Sequence, residues 1–236
     1  MSDSIAKCFL PMPNFPFSDL FGDDLERALI IHRQFVELGS MLQRFGYAVD
    51  LFDYCNAEIE RAAQEYGRRD RRYKEFNDSR HGWQQIAARE GGMTICDFGK
   101  VIASIKHNRQ ECKALYSRID GKELEIIWRE FRATFKDRVD IRDAAAHPVD
   151  FFKTPEDIAE NALFSDYKNH GLSLENPNAC VIKGVIDGRT VLYTVGNRVV
   201  EYELSANTLD KLLHFKSRIC AVFHPPSSEQ DRVQVS

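Results

Sequence analysis

The stretch DLERALIIHRQFVELGSMLQRFGYAVDLFDYCNAEIERAAQEY, residues 24 to 66, decides the fold class of this chain. Its apolar side chains recur at steps of three and four residues, which is the spacing of one face of an α-helix. A helix of this length needs other helices to cover that face, so the sequence predicts a helical bundle. The apolar stripe comprises Leu25, Leu29, His32, Phe35, Val36, Leu42, Phe45, Val49, Phe52, Cys55, Ile59, Ala62, Ala63 and Tyr66.

The chain after this helix carries two shorter helical patterns. Residues 67 to 82 are polar and basic, and we predict a connection or a frayed helix end there. Residues 83 to 90 are predicted to form a short helix, which Gly91 and Gly92 end because glycine is unfavourable inside a helix. Thr94 then begins another helix, with an acidic residue three positions later in a capping-box arrangement.

Glycine and proline mark the next helix boundaries. A break at Asp120 and Gly121 is predicted to precede one helix that runs as far as Ala146. Pro148 ends this helix, because the residue before a proline is disfavoured in the α region. Thr154 starts the following helix, since it supplies an N-cap and is followed by a proline and two acidic residues.

The hydrophobic pattern changes period near the C-terminus. Residues 180 to 205, CVIKGVIDGRTVLYTVGNRVVEYELS, alternate between apolar and polar side chains and are rich in β-branched residues. The pairs Asp187-Gly188 and Gly196-Asn197 are typical of tight hairpin turns. This segment is therefore predicted to be a three-stranded antiparallel β-meander.

These patterns predict a mainly α protein, an antiparallel helical bundle with a C-terminal three-stranded antiparallel β-meander and a closing helix. The predicted domains are an extended arm over residues 1–23 and the bundle over residues 24–175. The meander and its helix, which covers residues 206–223, form a unit over residues 176–224 that packs on the bundle. Residues 225–236 are predicted to be a disordered tail.

Composition excludes several classes of protein. The net charge of −4 excludes a globally basic nucleic-acid binder, so any contact with RNA must use a local patch. No secretory signal and no apolar run long enough to span a membrane is present, which predicts a cytoplasmic protein. The scattered cysteines form no CxxC pair and predict reduced thiols without a metal site. They are Cys8, Cys55, Cys96, Cys112, Cys180 and Cys220.

The segment IRDAAAHPVD, residues 141 to 150, holds the candidate catalytic residues. Asp143 and His147 are one helical turn apart, so the aspartate can accept a hydrogen bond from one imidazole nitrogen and orient the ring. Arg142 lies about 140° from His147 around an ideal helix. A second copy of the chain, related by two-fold symmetry, would bring arginines and histidines to a common cleft.

The motif Arg-Asp-Ala-Ala-Ala-His, residues 142 to 147, resembles that of the HEPN superfamily (higher eukaryote and prokaryote nucleotide-binding domains). Its pattern is an arginine and a histidine separated by four to six residues, commonly with Asn, Asp or His after the arginine. The position of the motif late in a set of long helices is also similar. The resemblance covers residues 24 to 165, and the β-meander lies outside the minimal family fold.

This resemblance implies a metal-independent endoribonuclease that works as a homodimer, without a cofactor, in toxin–antitoxin or defence systems. His147 would act as general base or acid, Arg142 would stabilise charge on the phosphoryl oxygens, and Asp143 would orient the imidazole. The products would be a 2′,3′-cyclic phosphate and a 5′-hydroxyl. The implied partners are RNA or a nucleotide, a second copy of the chain, and a regulatory protein.

A basic run forms a second candidate site. Its cations could bind the RNA backbone and its tyrosine could stack on a base. The alternative is a solvated charged turn without a ligand. The run consists of Arg68, Arg69, Arg71, Arg72, Tyr73 and Lys74.

The catalytic motif has alternatives as well. In a purely structural helix end, Arg142 pairs with a carboxylate and His147 meets the terminal carbonyl groups of its helix. A non-catalytic relative would use the same cleft to bind a nucleotide or a protein. The sequence leaves these three interpretations open.

Overall fold

The computed structural model describes Pro13 and residues 17–169, 172–175 and 179–223. Most of the predicted arm and all of the predicted tail lie outside these residues. The helices are α1 Asp23–Tyr66, α2 Arg71–Glu111, α3 Lys113–Tyr116, α4 Gly121–Thr134, α5 Arg138–Ala146, α6 Pro155–Asn161 and α7 Ala206–Phe223. The strands are β1 Tyr167–Asn169, β2 Leu172–Leu174, β3 Lys183–Asp187, β4 Thr190–Val195 and β5 Arg198–Glu203. The predicted mainly α class, the meander and the closing helix are confirmed.

The chain forms two compact units, each assembled from separate segments. The first takes its described residues from segments 1–40, 99–134 and 211–236, and the second from segments 41–98 and 135–210. Both α1 and α2 contribute residues to each unit. The predicted boundary between the bundle and the meander does not coincide with this division.

Aromatic rings build part of the core of the first unit. Phe35 of α1 meets Phe223 of α7 edge to face, with ring centroids 5.1 Å apart. Phe131 of α4 meets Phe215 of α7 in the same manner at 5.3 Å. Such contacts add to the hydrophobic burial of large rings, so Phe215 and Phe223 anchor the C-terminal part of α7 in this unit.

The β-meander belongs to the second unit. Its three strands pair in the order β3-β4-β5, all antiparallel, and α5 packs against each of them. Gly196 and Asn197 both have positive φ, +56° and +58°, as the two-residue turn between β4 and β5 requires. The predicted second hairpin turn is thereby confirmed. A separate two-stranded hairpin, β1 with β2, was not predicted.

The prediction that Gly91 and Gly92 end a helix is wrong, because α2 continues through both. The glycines provide space for the meander. A Cβ atom on Gly91 would lie 2.8 Å from Leu204 Cδ1, and one on Gly92 would lie 2.9 Å from Ile141 Cγ2. The hydroxyl of Tyr202 donates to the Ala88 carbonyl on the same face of α2. Close packing of a neighbour outweighs the intrinsic cost of glycine in a helix.

Two other helix boundaries differ from those predicted. The connection expected over residues 67 to 82 is confined to 67–70, because the Asp70 carboxylate accepts from the Arg72 backbone N–H at 2.8 Å and caps α2. The helix expected to reach Ala146 without interruption is divided between α4 and α5. A turn over residues 135–137 separates them, and α5 begins at Arg138.

The predicted start at Thr154 is confirmed in full. Its side chain accepts from the Asp157 backbone N–H at 3.1 Å, and the Asp157 carboxylate accepts from the Thr154 backbone N–H at 2.9 Å. This reciprocal capping box begins α6. None of the helices in the described part of the chain is long and apolar enough to span a membrane.

Candidate functional site

The predicted motif lies at the C-terminal end of α5. Arg142 and Asp143 occupy its last turns, and His147 is its C-cap residue. The His147 backbone N–H donates to the Asp143 carbonyl oxygen at 2.9 Å. The backbone of His147 is no longer helical, with φ −127° and ψ 52°, and Pro148 follows it. The predicted end of the helix before Pro148 is confirmed.

Arg142 forms an ion pair with the residue beside it. Its Nη1 donates to Asp143 Oδ1 at 2.7 Å, and the two side chains are 34% and 44% exposed. This hydrogen bond is the main reason that the pKa of Arg142 lies above its ordinary value; burial opposes the shift. The guanidinium is therefore fully charged and already holds one anionic group.

The position of the Asp143 carboxylate differs from the expectation that it orients His147. The carboxylate accepts a hydrogen bond from Arg142. A guanidinium offers a charge-assisted hydrogen bond, which is stronger than one from a neutral imidazole. The long arginine side chain can reach the neighbouring carboxylate, and the sequence spacing alone does not reveal that competition.

A different carboxylate lies beside the imidazole. Asp150 Oδ2 is 4.0 Å from His147 Nδ1, and Lys153 Nζ donates to the other carboxylate oxygen of Asp150. All three side chains are more than half exposed. The hydrogen bond from Lys153 is the largest reason that the pKa of Asp150 lies below its ordinary value. Sequence reasoning missed Asp150 and Lys153, although both follow His147 at steps of three.

Arg142 and His147 do not meet within one copy of the described chain. They are five positions apart in the sequence, which corresponds to a rise of about 7.5 Å along a helix. The first donates to Asp143 and the second faces Asp150. Both remain accessible to solvent at one end of α5, so a ligand lying along that end could reach each of them.

A small cavity lies next to this helix end, between α5 and the strands β3 and β4. Ala144, Pro148, Ile182, Lys183 and Thr194 are among its lining residues. Its volume is about 10 Å³, which is room for no more than one water molecule. A nucleotide does not fit inside it, and the candidate site is the exposed helix end itself.

The predicted RNA-binding run occupies the turn after α1 and the first turn of α2. Its five cations are exposed and its tyrosine is half-buried. Three of the cations form ion pairs with acidic residues of adjoining turns. These pairs are Arg68 to Glu60 at 3.5 Å, Arg71 to Glu75 at 2.8 Å and Arg72 to Asp70 at 2.9 Å.

The remaining two cations of the run, Arg69 and Lys74, have no carboxylate within 4 Å among the described residues. Tyr73 lies between them in sequence. Each ion pair neutralises one positive charge, so fewer cations of the run are available to a phosphate than the five that the sequence contains.

Sequence reasoning also missed a cation–aromatic cluster between α1 and α2. The Arg80 guanidinium lies 4.4 Å from the ring centroids of both Phe76 and Trp83, and 5.9 Å from that of Tyr54. The Trp83 side chain is 41% exposed. The spacing of Phe76, Arg80 and Trp83 at four and three residues is the signal that would have predicted the stack.

The described residues contain no group of three or more histidine, cysteine, aspartate or glutamate side chains able to hold a metal ion. Comparison with known proteins adds no family: no family model, no curated protein and no solved structure matches this chain. The class that fold and site define is therefore a mainly α protein with an exposed arginine–histidine helix end.

Proposed function

We propose that this protein is a HEPN-like, metal-independent endoribonuclease that acts as a homodimer. The observation that supports the proposal is the exposed His147 imidazole at the same end of α5 as the partly exposed Arg142 guanidinium. An accessible imidazole can exchange protons with a substrate near neutral pH, and a guanidinium can stabilise a phosphate anion. These are the two functions that RNA transesterification needs from side chains.

The proposed reaction needs neither water nor metal in its cleaving step. One imidazole accepts the proton of the ribose 2′-hydroxyl, and the 2′-oxygen forms a bond to the adjacent phosphorus. The bond from phosphorus to the 5′-oxygen breaks, and a protonated imidazole donates a proton to that oxygen. Arg142 stabilises the added negative charge on the phosphoryl oxygens. The products are a 2′,3′-cyclic phosphate and a 5′-hydroxyl.

The geometry of one chain favours a site made by two copies. On an ideal helix, side chains at the positions of Arg142 and His147 diverge by about 140°, so a regular helix would not direct both at one phosphate. A two-fold axis beside the helix end would supply a second imidazole, and one could then accept a proton while the other donates one. We propose that the homodimer builds the complete site.

The ion pair with Asp143 does not prevent Arg142 from binding phosphate. Its hydrogen bond to Asp143 uses one N–H of a guanidinium that carries five. RNA must nevertheless bind close to a negative carboxylate, which weakens the attraction. Arg69 and Lys74, the two cations of the basic run without a carboxylate partner among the described residues, are proposed to add contacts to the RNA backbone.

Cleavage of RNA by the purified protein in EDTA tests this function. Loss of the general base should lower the rate by about 10²- to 10⁴-fold in His147→Ala. Removal of the anion donor should lower it by about 10²- to 10³-fold in Arg142→Ala. The matched controls are His107→Ala and Arg129→Ala, which remove exposed side chains of the same kinds.

Mass spectrometry of the fragments should show 2′,3′-cyclic phosphate ends. RNA that stays intact at all protein concentrations contradicts the proposal. An equal loss of cleavage activity in the site variants and in their control variants also contradicts it. Circular dichroism and thermal melting of each variant establish that the fold is retained.

A non-catalytic module that binds a nucleotide or a protein partner is the second candidate. Its support is that Arg142 and three cations of the basic run are already neutralised by acidic neighbours. Stabilisation against heat by mononucleotides, together with intact RNA, would favour this candidate. A role in toxin–antitoxin or defence systems, with a regulatory protein partner, is proposed with either function.

We also propose that the protein works in the cytoplasm. The described cysteines are all free, and four of the five are buried. Burial raises the pKa values of Cys55, Cys112 and Cys220, which makes them poor nucleophiles. Reduced, unreactive thiols of this kind suit a reducing compartment.

A further inference from the structure

We infer that Asp150, held in place by Lys153, is the positioning residue for His147. This inference rests on the proposed ribonuclease function and extends it, because it assigns the carboxylate that orients the proposed acid–base group. The sequence motif points to Asp143 for this role. Asp143, however, is hydrogen-bonded to Arg142. The carboxylate that lies near the imidazole is that of Asp150, in the turn that follows the helix.

The backbone after α5 brings Asp150 to the imidazole. The Asp150 N–H donates to the His147 carbonyl oxygen at 3.0 Å, which closes a turn through Pro148. Proline restricts the backbone of that turn, and a 3-10 helix over Asp150–Phe152 continues it. The carboxylate is thus kept near the ring by local covalent structure, with Oδ2 4.0 Å from Nδ1.

Lys153 fixes the other side of the carboxylate. Its ammonium group donates to Asp150 Oδ1, which leaves Oδ2 facing the imidazole. The same hydrogen bond is the first cause of the lowered pKa of Asp150. Asp150 is therefore ionised at neutral pH, and it acts on the ring through its negative charge.

At 4.0 Å from Nδ1, Asp150 Oδ2 is too far for a hydrogen bond, but its negative charge favours the neutral imidazole tautomer that carries the proton on Nδ1. In that tautomer the lone pair is on Nε2. Nε2 is the ring nitrogen that does not face Asp150, and it is then available to accept the proton of a ribose hydroxyl. Asp150 touches neither substrate nor reacting atoms in this arrangement, and its effect is on the population of the reactive ring form.

The tautomer of His147 can be measured directly, with or without enzyme activity. Nitrogen-15 NMR of the full chain separates the Nδ1–H and Nε2–H forms, and the His147 signals are identified by their loss in His147→Gln. Asp150→Asn should lower the ratio of the Nδ1–H to the Nε2–H form by about two- to fivefold, the range expected for an exposed charge pair. Glu156→Gln removes one negative charge from an exposed residue of α6 and is the matched control.

Kinetics of RNA cleavage supply the second readout. Asp150→Asn should lower kcat in proportion to the fraction of imidazole in the Nδ1–H form, a factor no larger than the change in tautomer ratio, and leave KM unchanged, because substrate binding does not involve the carboxylate. Lys153→Gln should have a smaller effect in the same direction. Glu156→Gln should match the wild-type protein in both measurements.

The outcomes separate this inference from the function on which it rests. If the wild-type protein leaves RNA intact, both the proposed ribonuclease function and the positioning role are contradicted, regardless of the tautomer measured for His147. A wild-type protein that cleaves RNA, with the same tautomer ratio and kcat in Asp150→Asn, overturns the positioning role alone. A joint shift of tautomer and kcat, absent in Glu156→Gln, supports it.

Discussion

The Arg142 guanidinium donates a 2.7 Å hydrogen bond to the carboxylate of Asp143, its neighbour in the sequence. This pairing leaves the His147 imidazole to a different acid, Asp150, at 4.0 Å. The arginine that would bind phosphate and the histidine that would transfer protons therefore have separate anionic partners. The separation allows the two partners to be tested independently.

Asp143→Asn should strengthen RNA binding by several-fold and preserve cleavage. The substitution removes a negative charge beside the phosphate site and keeps a hydrogen-bond acceptor for Arg142. Fluorescence anisotropy with a labelled single-stranded RNA measures the change in Kd. Loss of cleavage with normal RNA binding would show instead that Asp143 orients the imidazole, as the motif alone suggests.

Mixed dimers test whether two copies build the site. Arg142→Ala homodimers lack the phosphate-stabilising group, and His147→Ala homodimers lack the acid–base group. A heterodimer of the two variants retains one Arg142 and one His147 on different chains, so it should be more active than either parent homodimer and less active than the wild-type dimer, which has two imidazoles. Differently tagged chains allow the heterodimer to be isolated, and a heterodimer no more active than its parents would contradict a shared site.

Arg69 and Lys74, which have no carboxylate partner in the described part of the chain, should contribute most of the RNA affinity of the basic run. We expect the double variant Arg69→Ala/Lys74→Ala to reduce the salt dependence of binding by about 0.7 in log–log slope for each phosphate that the run no longer neutralises. Arg68→Ala/Arg71→Ala, which removes two cations that already form ion pairs, is the matched control and should have a smaller effect. Equal salt-dependence slopes in the two double variants would indicate that the run is a solvated turn that does not bind RNA.

The glycines of α2 give a stability test with an internal control. Gly91→Ala should destabilise the protein by about 1–3 kcal/mol, because its methyl group would meet Leu204 at 2.8 Å. At Gly82, also inside α2, nothing lies within 4 Å of an added Cβ, so Gly82→Ala should stabilise by about 0.5–1 kcal/mol. Urea unfolding measures the change in unfolding free energy of both variants. A change of the same sign in the two would contradict the close packing of Leu204 on Gly91.

Tyr193 should make the protein sensitive to alkaline pH. Burial raises the pKa of Tyr193 to about 12 in the folded state, against about 10 in an unfolded chain. The folded state therefore binds this proton more tightly, and its contribution, up to about 3 kcal/mol, is present below pH 10 and lost as pH rises toward 12.

The free energy of unfolding between pH 9 and 12 tests this effect. Tyr193→Phe should show a weaker decline than the wild-type protein. The decline should not vanish, since burial also raises the pKa of Tyr202 well above its ordinary value. Tyr47→Phe, at an exposed position, is the matched control, and an identical decline in both variants would refute the role of Tyr193.

Local sequence signals predicted the elements whose stability is decided within a few neighbouring residues. The helix α1, the capping box at Thr154 and the turn at Gly196-Asn197 are all found in the structure. The predicted stripe of α1 is found in part, since its members Leu29 and Val36 are exposed. Each depends on interactions between residues close in sequence, namely helical periodicity, reciprocal capping and the backbone freedom of glycine and asparagine. Their prediction needs no knowledge of distant partners.

The predictions that differ from the structure depend on residues far apart in sequence or on competition between side chains. Gly91 and Gly92 stay inside α2 because Leu204 and Ile141 pack against that face. The sequence spacing offers Asp143 two basic partners, Arg142 and His147, and in the structure the Arg142 guanidinium donates to it. Spacing names the candidates for a contact, whereas relative energy selects among them.

By itself, the sequence determined the mainly α class, the meander, the closing helix and the arginine–histidine motif at a helix end, since periodicity and capping are local. Tertiary structure alone decided the continuous α2 and the packing of α5 on the meander, because both arise from contacts between residues distant in the chain. The folded chain also decided which carboxylate faces His147, because local hydrogen bonds compete for the same groups and only one arrangement is realised.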